Sequence, residues 1–134
     1  MGAGPAVLHV LLVEDDSTLR LLACEAIEAL GHHAHACESA EAAEQLLRAN
    51  AFQVLLSDVG LGGRSGLELA RQVRDEYSGM HLVLASGHAL DLTREGLGMA
   101  RLLPKPYDLA QLSALLDELA KQSPVRLAPP MPLL

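Results

Sequence analysis

Short apolar runs alternate along the chain with stretches in which apolar residues recur at helical spacing. The first run, 7–13, contains a single polar residue, His9, which is typical of a strand buried on both faces. Four further runs have the length of strands, at 33–36, 52–57, 81–85 and 100–103. Because helical stretches separate the runs, the pattern predicts an α/β fold: a five-stranded parallel sheet with helices on both faces and right-handed crossovers.

The first of five predicted helices has clear ends and a clear apolar face. Ser17 is placed to cap its amino end, and Gly31 is placed to end it. Its apolar positions follow a 3.6-residue period, which predicts that they all face the sheet. They are Leu19, Leu22, Ala23, Ile27 and Leu30.

The remaining helices differ in how well the sequence specifies them. Ser39 is placed to cap the second helix, and Asp108 with Gln111 forms a capping box at the last one. The third helix follows a glycine-rich loop after the third strand. The fourth is poorly specified, because Gly96 and Gly98 interrupt it, and it is expected to be short.

A length of 134 residues corresponds to one domain, which we place at residues 1–122. Prolines at four of the last twelve positions predict that residues 123–134 form a tail without regular structure. A chain of this length buries roughly two thirds of its unfolded surface, so it needs no disulfide to hold a core. Cys24 and Cys37 stand in no metal-binding spacing and are expected to be reduced, buried thiols.

Charge and composition exclude several classes of function. Ten basic and seventeen acidic residues give a net charge of −7, and aromatic residues make up only 2% of the chain. Nucleic-acid binding needs a basic surface and stacking aromatics, so we expect no nucleic-acid partner. The chain shows no membrane-spanning run and no signal peptide, which favours a protein of the cytoplasm without a membrane partner.

Chemically active side chains follow four of the predicted strands. Glu14 and Asp15 follow the first strand, Asp58 the third, Ser86 the fourth and Lys105 the fifth. Ligands of open parallel sheets bind beyond the carboxyl ends of the strands, where the strand order reverses. With the order 2-1-3-4-5, these five side chains meet at one rim of the sheet.

The chemistry of such a rim points to a metal ion and a phosphoryl group. Two carboxylates ~5 Å apart repel by about 3 kcal/mol at an effective dielectric constant near 20. A divalent cation relieves this repulsion, and an all-oxygen site suits Mg²⁺. Between the metal and Lys105, a carboxylate oxygen of Asp58 could attack phosphorus. Asp16, next to the acid pair, is interpreted as a helix cap.

Four segments together resemble the receiver domain of bacterial two-component response regulators, the CheY-like group. The segments are LLVEDDSTLR, LLSDVGLGGRSG, LVLASG and LLPKP, and the resemblance covers about 8–119. It implies a five-stranded doubly wound sheet, a signalling domain that is not an enzyme beyond its own phosphorylation and dephosphorylation, and Mg²⁺ as cofactor. The implied partner is a sensor histidine kinase or a histidine phosphotransfer protein.

The resemblance also implies a role for each matching residue. Asp58 is the phosphoryl acceptor, Ser86 the switch hydroxyl and Lys105 the conserved-type lysine, with a cis peptide to Pro106. The implied metal ligands are the carboxylates of Asp15 and Asp58, the backbone carbonyl of Gly60, and Glu14 through a water molecule.

Two positions depart from the family pattern. Leu102 stands where family members often carry an aromatic side chain that moves with the switch hydroxyl, and a leucine cannot make the same movement. Gly62 stands where a proline is common, which loosens the loop after Asp58.

Three alternatives remain beside this interpretation. An aspartyl-phosphate hydrolase usually carries a second aspartate two residues after the nucleophile, but Gly60 occupies that position. A flavodoxin-like cofactor binder is disfavoured because Glu14, Asp15 and Asp16 would repel phosphate. A receiver-like module that binds partners without phosphorylation stays open.

Two further groups of residues, three histidines and the leucines of the last helix, are interpreted without a functional role. His32, His33 and His35 are interpreted as surface imidazoles, since no third ligand or supporting partner is evident in the sequence. The leucine stripe of the last helix is interpreted as core, and a homodimer is expected only if part of that stripe proves exposed.

Overall fold

The computed structural model describes residues 6–122, which form five strands and four helices. The predicted tail, 123–134, lies outside the described residues. The strands are β1 (His9–Val13), β2 (His33–Cys37), β3 (Val54–Asp58), β4 (His81–Ser86) and β5 (Arg101–Pro104). The helices are α1 (Ser17–Ala29), α2 (Ala40–Ala49), α3 (Gly66–Glu76) and α4 (Leu109–Gln122).

All five strands are parallel and lie in the order β2-β1-β3-β4-β5, which confirms the predicted fold class and strand order. The register aligns Asp58 of β3 with Ala85 of β4, and Ser86 with Pro104 of β5. The carboxyl ends of the central strands therefore open onto one rim, which is where the predicted site residues lie.

Alternating side chains of the central strands pack into two separate hydrophobic cores, one on each face of the sheet. In β1, Leu11 and Val13 pack in the core under α2 and α3, whereas Val10 and Leu12 pack in the core under α1 and α4. Successive residues of a strand point to opposite faces, so a strand covered on both sides must be apolar throughout. Burying each such leucine or valine contributes about 1.5–3 kcal/mol, which anchors the rim residues that follow.

The helix caps are partly as predicted. Ser39, Asp108 and Gln111 cap their helices: the side chain of Ser39 accepts from an amide of α2, and Asp108 and Gln111 bond each other reciprocally. The prediction for Ser17 is wrong, because Ser17 is the first helical residue and Asp16 is the cap. The Asp16 carboxylate accepts two hydrogen bonds from the backbone of the first turn, at 2.9 and 3.0 Å.

The fourth predicted helix is absent: within the described residues, no helix lies between β4 and β5, and the predicted last helix is α4. Gly96 adopts a φ of +78°, which breaks helical geometry. The segment instead folds into turns around the buried side chain of Leu97. Two arginines of α3 hold it, Arg71 through the backbone and carboxylate of Glu95 and Arg74 through the carbonyl of Gly96.

The predicted apolar face of α1 is only half buried. Ala23 and Ile27 lie in the core, but Leu19 is 43% exposed and Leu22 is 57% exposed. These two leucines line a groove between α1 and the start of α4, where no element formed by residues 6–122 packs over them. No helix in residues 6–122 is long and apolar enough to span a membrane.

Candidate functional site

Three carboxylates converge at the rim where β1 and β3 end. Each of Glu14, Asp15 and Asp58 offers a ligand oxygen, and these oxygens lie within 4.8 Å of one another. Glu14 is buried, Asp58 is partly buried and Asp15 is exposed. Solvent and a docking molecule therefore reach the cluster from the side of Asp15, while Glu14 forms its floor.

Lys105 reaches into the same cluster from the end of β5. Its Nζ lies 3.1 Å from Oδ1 of Asp58 and 3.3 Å from Oε1 of Glu14. Its backbone N–H donates to the carbonyl of Ser86 at 2.8 Å, which fixes the start of the loop after β5. The peptide bond to Pro106 is cis, as the resemblance implies.

Burial and charge act against each other in this cluster. Burial raises the pKa of Glu14, and the charge of Asp58 adds to this effect, while the N–H of Asp16 and the charge of Lys105 oppose it. Burial also disfavours the charge of Lys105, but its hydrogen bond to Asp58 and the two nearby carboxylates outweigh burial and raise its pKa. Lys105 therefore stays an ammonium group that faces an excess of negative charge.

The hydroxyl of Ser86 lies at the rim but is engaged elsewhere. It donates to the carbonyl of His88 at 3.0 Å and accepts from the N–H of His88 at 3.1 Å. Both hydrogen bonds tie the end of β4 to the loop that follows. Ser86 is thus buried at the end of β4, paired with Pro104 of β5, and its hydroxyl bonds the segment that follows β4.

The loop after Asp58 contains exposed glycines. Gly60 is exposed, and a Cβ built there would lie 4.0 Å from Oδ2 of Asp58. Gly62 is also exposed and has open space around it, and Leu102 on β5 is partly buried. Gly60 therefore places no side-chain atom beside Oδ2 of Asp58.

Sequence reasoning missed two supporting residues. Gly66 belongs to the glycine cluster that predicts a loop after the third strand, but it begins α3, and its N–H donates to the carbonyl of Val59 at 3.0 Å. Arg20 of α1 donates from its guanidinium to the carbonyl of Glu14 at 2.8 Å. The cluster of glycines after Asp58 indicated that Gly66 has a structural role, whereas nothing in the sequence distinguishes Arg20 from an arginine exposed to solvent.

An apolar groove of about 460 Å³ adjoins the cluster. Glu14 and Lys105 form one end of the groove, and half-buried Tyr107 lies along it. Its apolar walls come from the first turns of α1 and α4: Leu19, Leu22, Ala23, Ala26, Leu109 and Leu112. Three of these leucines are largely exposed, so the rim carries an apolar surface beside its charged centre.

The donor set fits a hard divalent cation. Glu14, Asp15 and Asp58 supply only oxygen atoms, and they face the single ammonium of Lys105. Mg²⁺ prefers one or two carboxylates and keeps several waters, which the exposed position of Asp15 allows.

Comparison with known proteins gives a consistent family. A family model described as the response regulator receiver domain matches residues 10–117. The response regulator protein FleR of Pseudomonas aeruginosa is 36% identical over 117 residues, which is 85% of this chain but only 24% of that protein. The response regulator receiver protein CpdR of Brucella abortus is 28% identical over 107 residues, 78% of this chain and 89% of that protein.

The solved structures agree with the sequence comparison. The chain superposes on a CheY-like response regulator receiver domain from Methylobacillus flagellatus with a TM-score of 0.77 and 27% identity. This alignment covers 85% of the chain and 99% of that structure. The chain thus spans almost the whole of that receiver-domain structure but about a quarter of the length of FleR.

Proposed function

The chain belongs to the receiver domain family of response regulators, and on that premise we propose that it accepts a phosphoryl group on Asp58 in a Mg²⁺-dependent reaction. The observation that carries the proposal is the position of Asp58. Its carboxylate accepts from the ammonium of Lys105 at 3.1 Å, and its ligand oxygen lies within 4.8 Å of those of Glu14 and Asp15. This is a nucleophile placed among the charges that phosphoryl transfer requires.

The proposed donor is a phosphohistidine of a sensor histidine kinase or a histidine phosphotransfer protein. A carboxylate oxygen of Asp58 attacks phosphorus and forms an O–P bond, while the P–N bond to the donor imidazole breaks. The bonding electron pair returns to the imidazole nitrogen, which takes up a proton. Lys105 holds a phosphoryl oxygen and balances its charge. The chain therefore contributes mainly by positioning the reacting groups and neutralising their charge.

The carboxylates define where the metal would be held. We assign Asp15 and Asp58 as its direct ligands, together with the backbone carbonyl of Gly60, and Glu14 as a ligand through water. When bound, Mg²⁺ supplies charge neutralisation on the phosphoryl oxygens. Glu14, held by the amide of Asp16 at 3.2 Å, keeps its orientation without the metal.

Ser86 is the proposed link to the output surface. Its hydroxyl now bonds both backbone groups of His88. An acyl phosphate on Asp58 is a stronger, charged acceptor for that hydroxyl than a neutral carbonyl. Recruiting Ser86 therefore releases His88 and loosens the β4–β5 segment that Arg71 and Arg74 hold.

The apolar groove is the proposed docking surface for the phosphohistidine protein. A donor must bring its imidazole to Asp58, so its surface must cover the rim around Lys105. The groove begins at Glu14 and Lys105 and continues over the exposed leucines of α1 and α4. Exposed apolar side chains in a contiguous groove are characteristic of a protein-binding surface.

The deciding experiment is incubation with a small acyl phosphate and Mg²⁺, followed by intact mass measurement. We expect a gain of one phosphoryl group in the wild type, and none in Asp58→Asn or after removal of Mg²⁺ with a chelator. Asp16→Asn is the matched control, since Asp16 is a neighbouring carboxylate that caps α1, and it should still be phosphorylated. No mass gain in the wild type would favour a module that binds partners without phosphorylation, and sustained phosphate release from phosphomonoesters would favour a hydrolase.

A further inference from the structure

Three histidines cluster at the amino ends of β1 and β2, at the pole of the sheet opposite the carboxylates. His9 is paired in register with His33, and the ring centroids of the two are 4.8 Å apart in a stacked arrangement. His35 lies two residues further along β2 and therefore on the same face as His33. Its ring centroid is 6.2 Å from that of His9.

The rings of the cluster have no competing hydrogen bonds. None of these three imidazoles donates or accepts a hydrogen bond with another residue between 6 and 122; the hydrogen bonds of these residues, such as that of the His9 N–H with Gln53, are made by their backbone groups. His32, next in sequence, differs: its Nδ1 accepts from the N–H of Leu8, so its ring is used by the fold. The nitrogens of His9, His33 and His35 are therefore available to a ligand.

We propose that His9, His33 and His35 form a transition-metal site for Zn²⁺, separate from the proposed magnesium site. The pattern supplies a His-x-His pair from one strand and a third histidine from its neighbour. Adjacent strands lie about 4.8 Å apart, and same-face neighbours on one strand are ~6.6 Å apart. Imidazoles on that spacing can direct three nitrogens to one ion at about 2 Å and leave a fourth position for water.

The surroundings allow the rings to reach that arrangement. Within residues 6–122, the acidic cluster is the group whose ligand atoms already converge, so the imidazoles must turn to bind. His33 and His35 are exposed on the edge strand β2, where rotation of their side chains meets little resistance. The rings of His35 and Phe52 meet in a T-shaped arrangement, with their centroids 5.2 Å apart.

The donor chemistry separates the two sites. Imidazole nitrogen is a borderline-soft ligand that selects Zn²⁺ and similar ions, whereas the all-oxygen cluster selects Mg²⁺. Burial, followed by the charges of His33 and His35, lowers the pKa of His9, which keeps its ring in the neutral form that binds metals. Excess Mg²⁺ can therefore fill the carboxylates without occupying the histidines.

The test is calorimetric titration of the untagged chain with Zn²⁺ in saturating Mg²⁺. We expect one Zn²⁺ per chain, and affinity reduced by at least about tenfold in His33→Gln and in His35→Gln, the loss that even a supporting partner of a ligand causes. His88→Gln, an exposed histidine at the other pole, is the matched control and should bind as the wild type does. Replacing Zn²⁺ by Co²⁺ should give the visible absorption of a tetrahedral nitrogen-ligated ion.

Two results would overturn the site. One is no binding by the wild type under these conditions, and the other is unchanged binding by the His33→Gln/His35→Gln double variant. Far-ultraviolet circular dichroism of each variant checks that the sheet is intact. The outcome is independent of phosphorylation, since the acyl phosphate experiment uses neither Zn²⁺ nor these histidines.

Discussion

Gly66 at the start of α3 packs directly against the carbonyl group of Asp58, which leaves no room for a side chain. A Cβ at this position would overlap the Asp58 carbonyl oxygen and would lie 2.9 Å from both the Asp58 carbonyl carbon and Oγ of Ser57. The first turn of α3 therefore sets the position of the backbone that presents the proposed acceptor carboxylate.

We expect Gly66→Ala to lower the free energy of unfolding by about 1–3 kcal/mol, the usual effect of overpacking a close contact. Phosphorylation by the small donor should fall as well, because Asp58 must shift. Gly62→Ala is the control: it has open space and an ordinary φ, so its stability should stay within about 1 kcal/mol of the wild type. Urea unfolding measures both, and equal stability of the two variants would refute the contact.

Lys105→Met tests the charge balance of the rim. Removing the ammonium should slow phosphorylation by at least about 100-fold, because the developing negative charge loses a fixed partner. Mg²⁺ affinity should rise in the same variant, since one positive charge near the metal ligands is gone. Lys121→Met, on the exposed end of α4, should change neither quantity. Weaker Mg²⁺ binding by Lys105→Met would contradict this account.

Leu22→Asp separates docking of the donor protein from chemistry. A charge in the groove should reduce phosphoryl transfer from a phosphorylated histidine phosphotransfer protein that labels the wild type, while labelling by the small acyl phosphate stays normal. Leu21 is 61% exposed but lies outside the groove, so the Leu21→Asp variant should accept the phosphoryl group from the donor protein at the wild-type rate. If Leu22→Asp and Leu21→Asp accept the phosphoryl group from the donor protein at the same rate, the groove is not the docking surface.

The hydrogen bonds of Ser86 predict a local change on phosphorylation. The amide N–H of His88 should exchange faster with solvent in the phosphorylated chain, because its acceptor, the Ser86 hydroxyl, turns to the acyl phosphate. In Ser86→Ala that amide should exchange fast in both states. Hydrogen–deuterium exchange measures the difference, and unchanged protection of His88 in the phosphorylated wild type would exclude this link.

The two thiols should differ in reactivity. Burial raises the pKa of Cys37 to about 11, and burial also raises the pKa of half-buried Cys24. Since the thiolate is the reactive form, alkylation of native protein at pH 8 should modify Cys24 first and leave Cys37 largely intact. Denatured protein should react at both. Peptide mass mapping identifies the modified residue, and early modification of Cys37 would show that it is not sealed in the core.

The amino-acid sequence alone predicted the five strands and placed the rim residues at strand ends, whereas the strand order 2-1-3-4-5 entered as an assumption that the structure confirms. Apolar runs such as that in β1 allow few structures, because only a strand covered on both faces hides every side chain. The carboxyl ends of parallel strands share one rim, so Asp15 and Asp58 had to approach each other once the order was set.

Only the tertiary structure decided which apolar side chains are covered and which distant groups meet. Periodicity predicted that Leu22 and Ile27 lie on one face of α1. It did not predict that a groove lies over Leu22 whereas Ile27 packs in the core with α4. Local spacing carries no information about cross-strand register, and this register is what brings His9 beside His33. Likewise the glycines after Asp58 looked alike until packing showed that Gly66 alone has no space for a side chain among those in that loop. The pattern of apolar and polar residues within one element follows from the backbone periodicity of a helix or strand. Contacts between segments that are distant in sequence depend instead on how whole elements pack against one another.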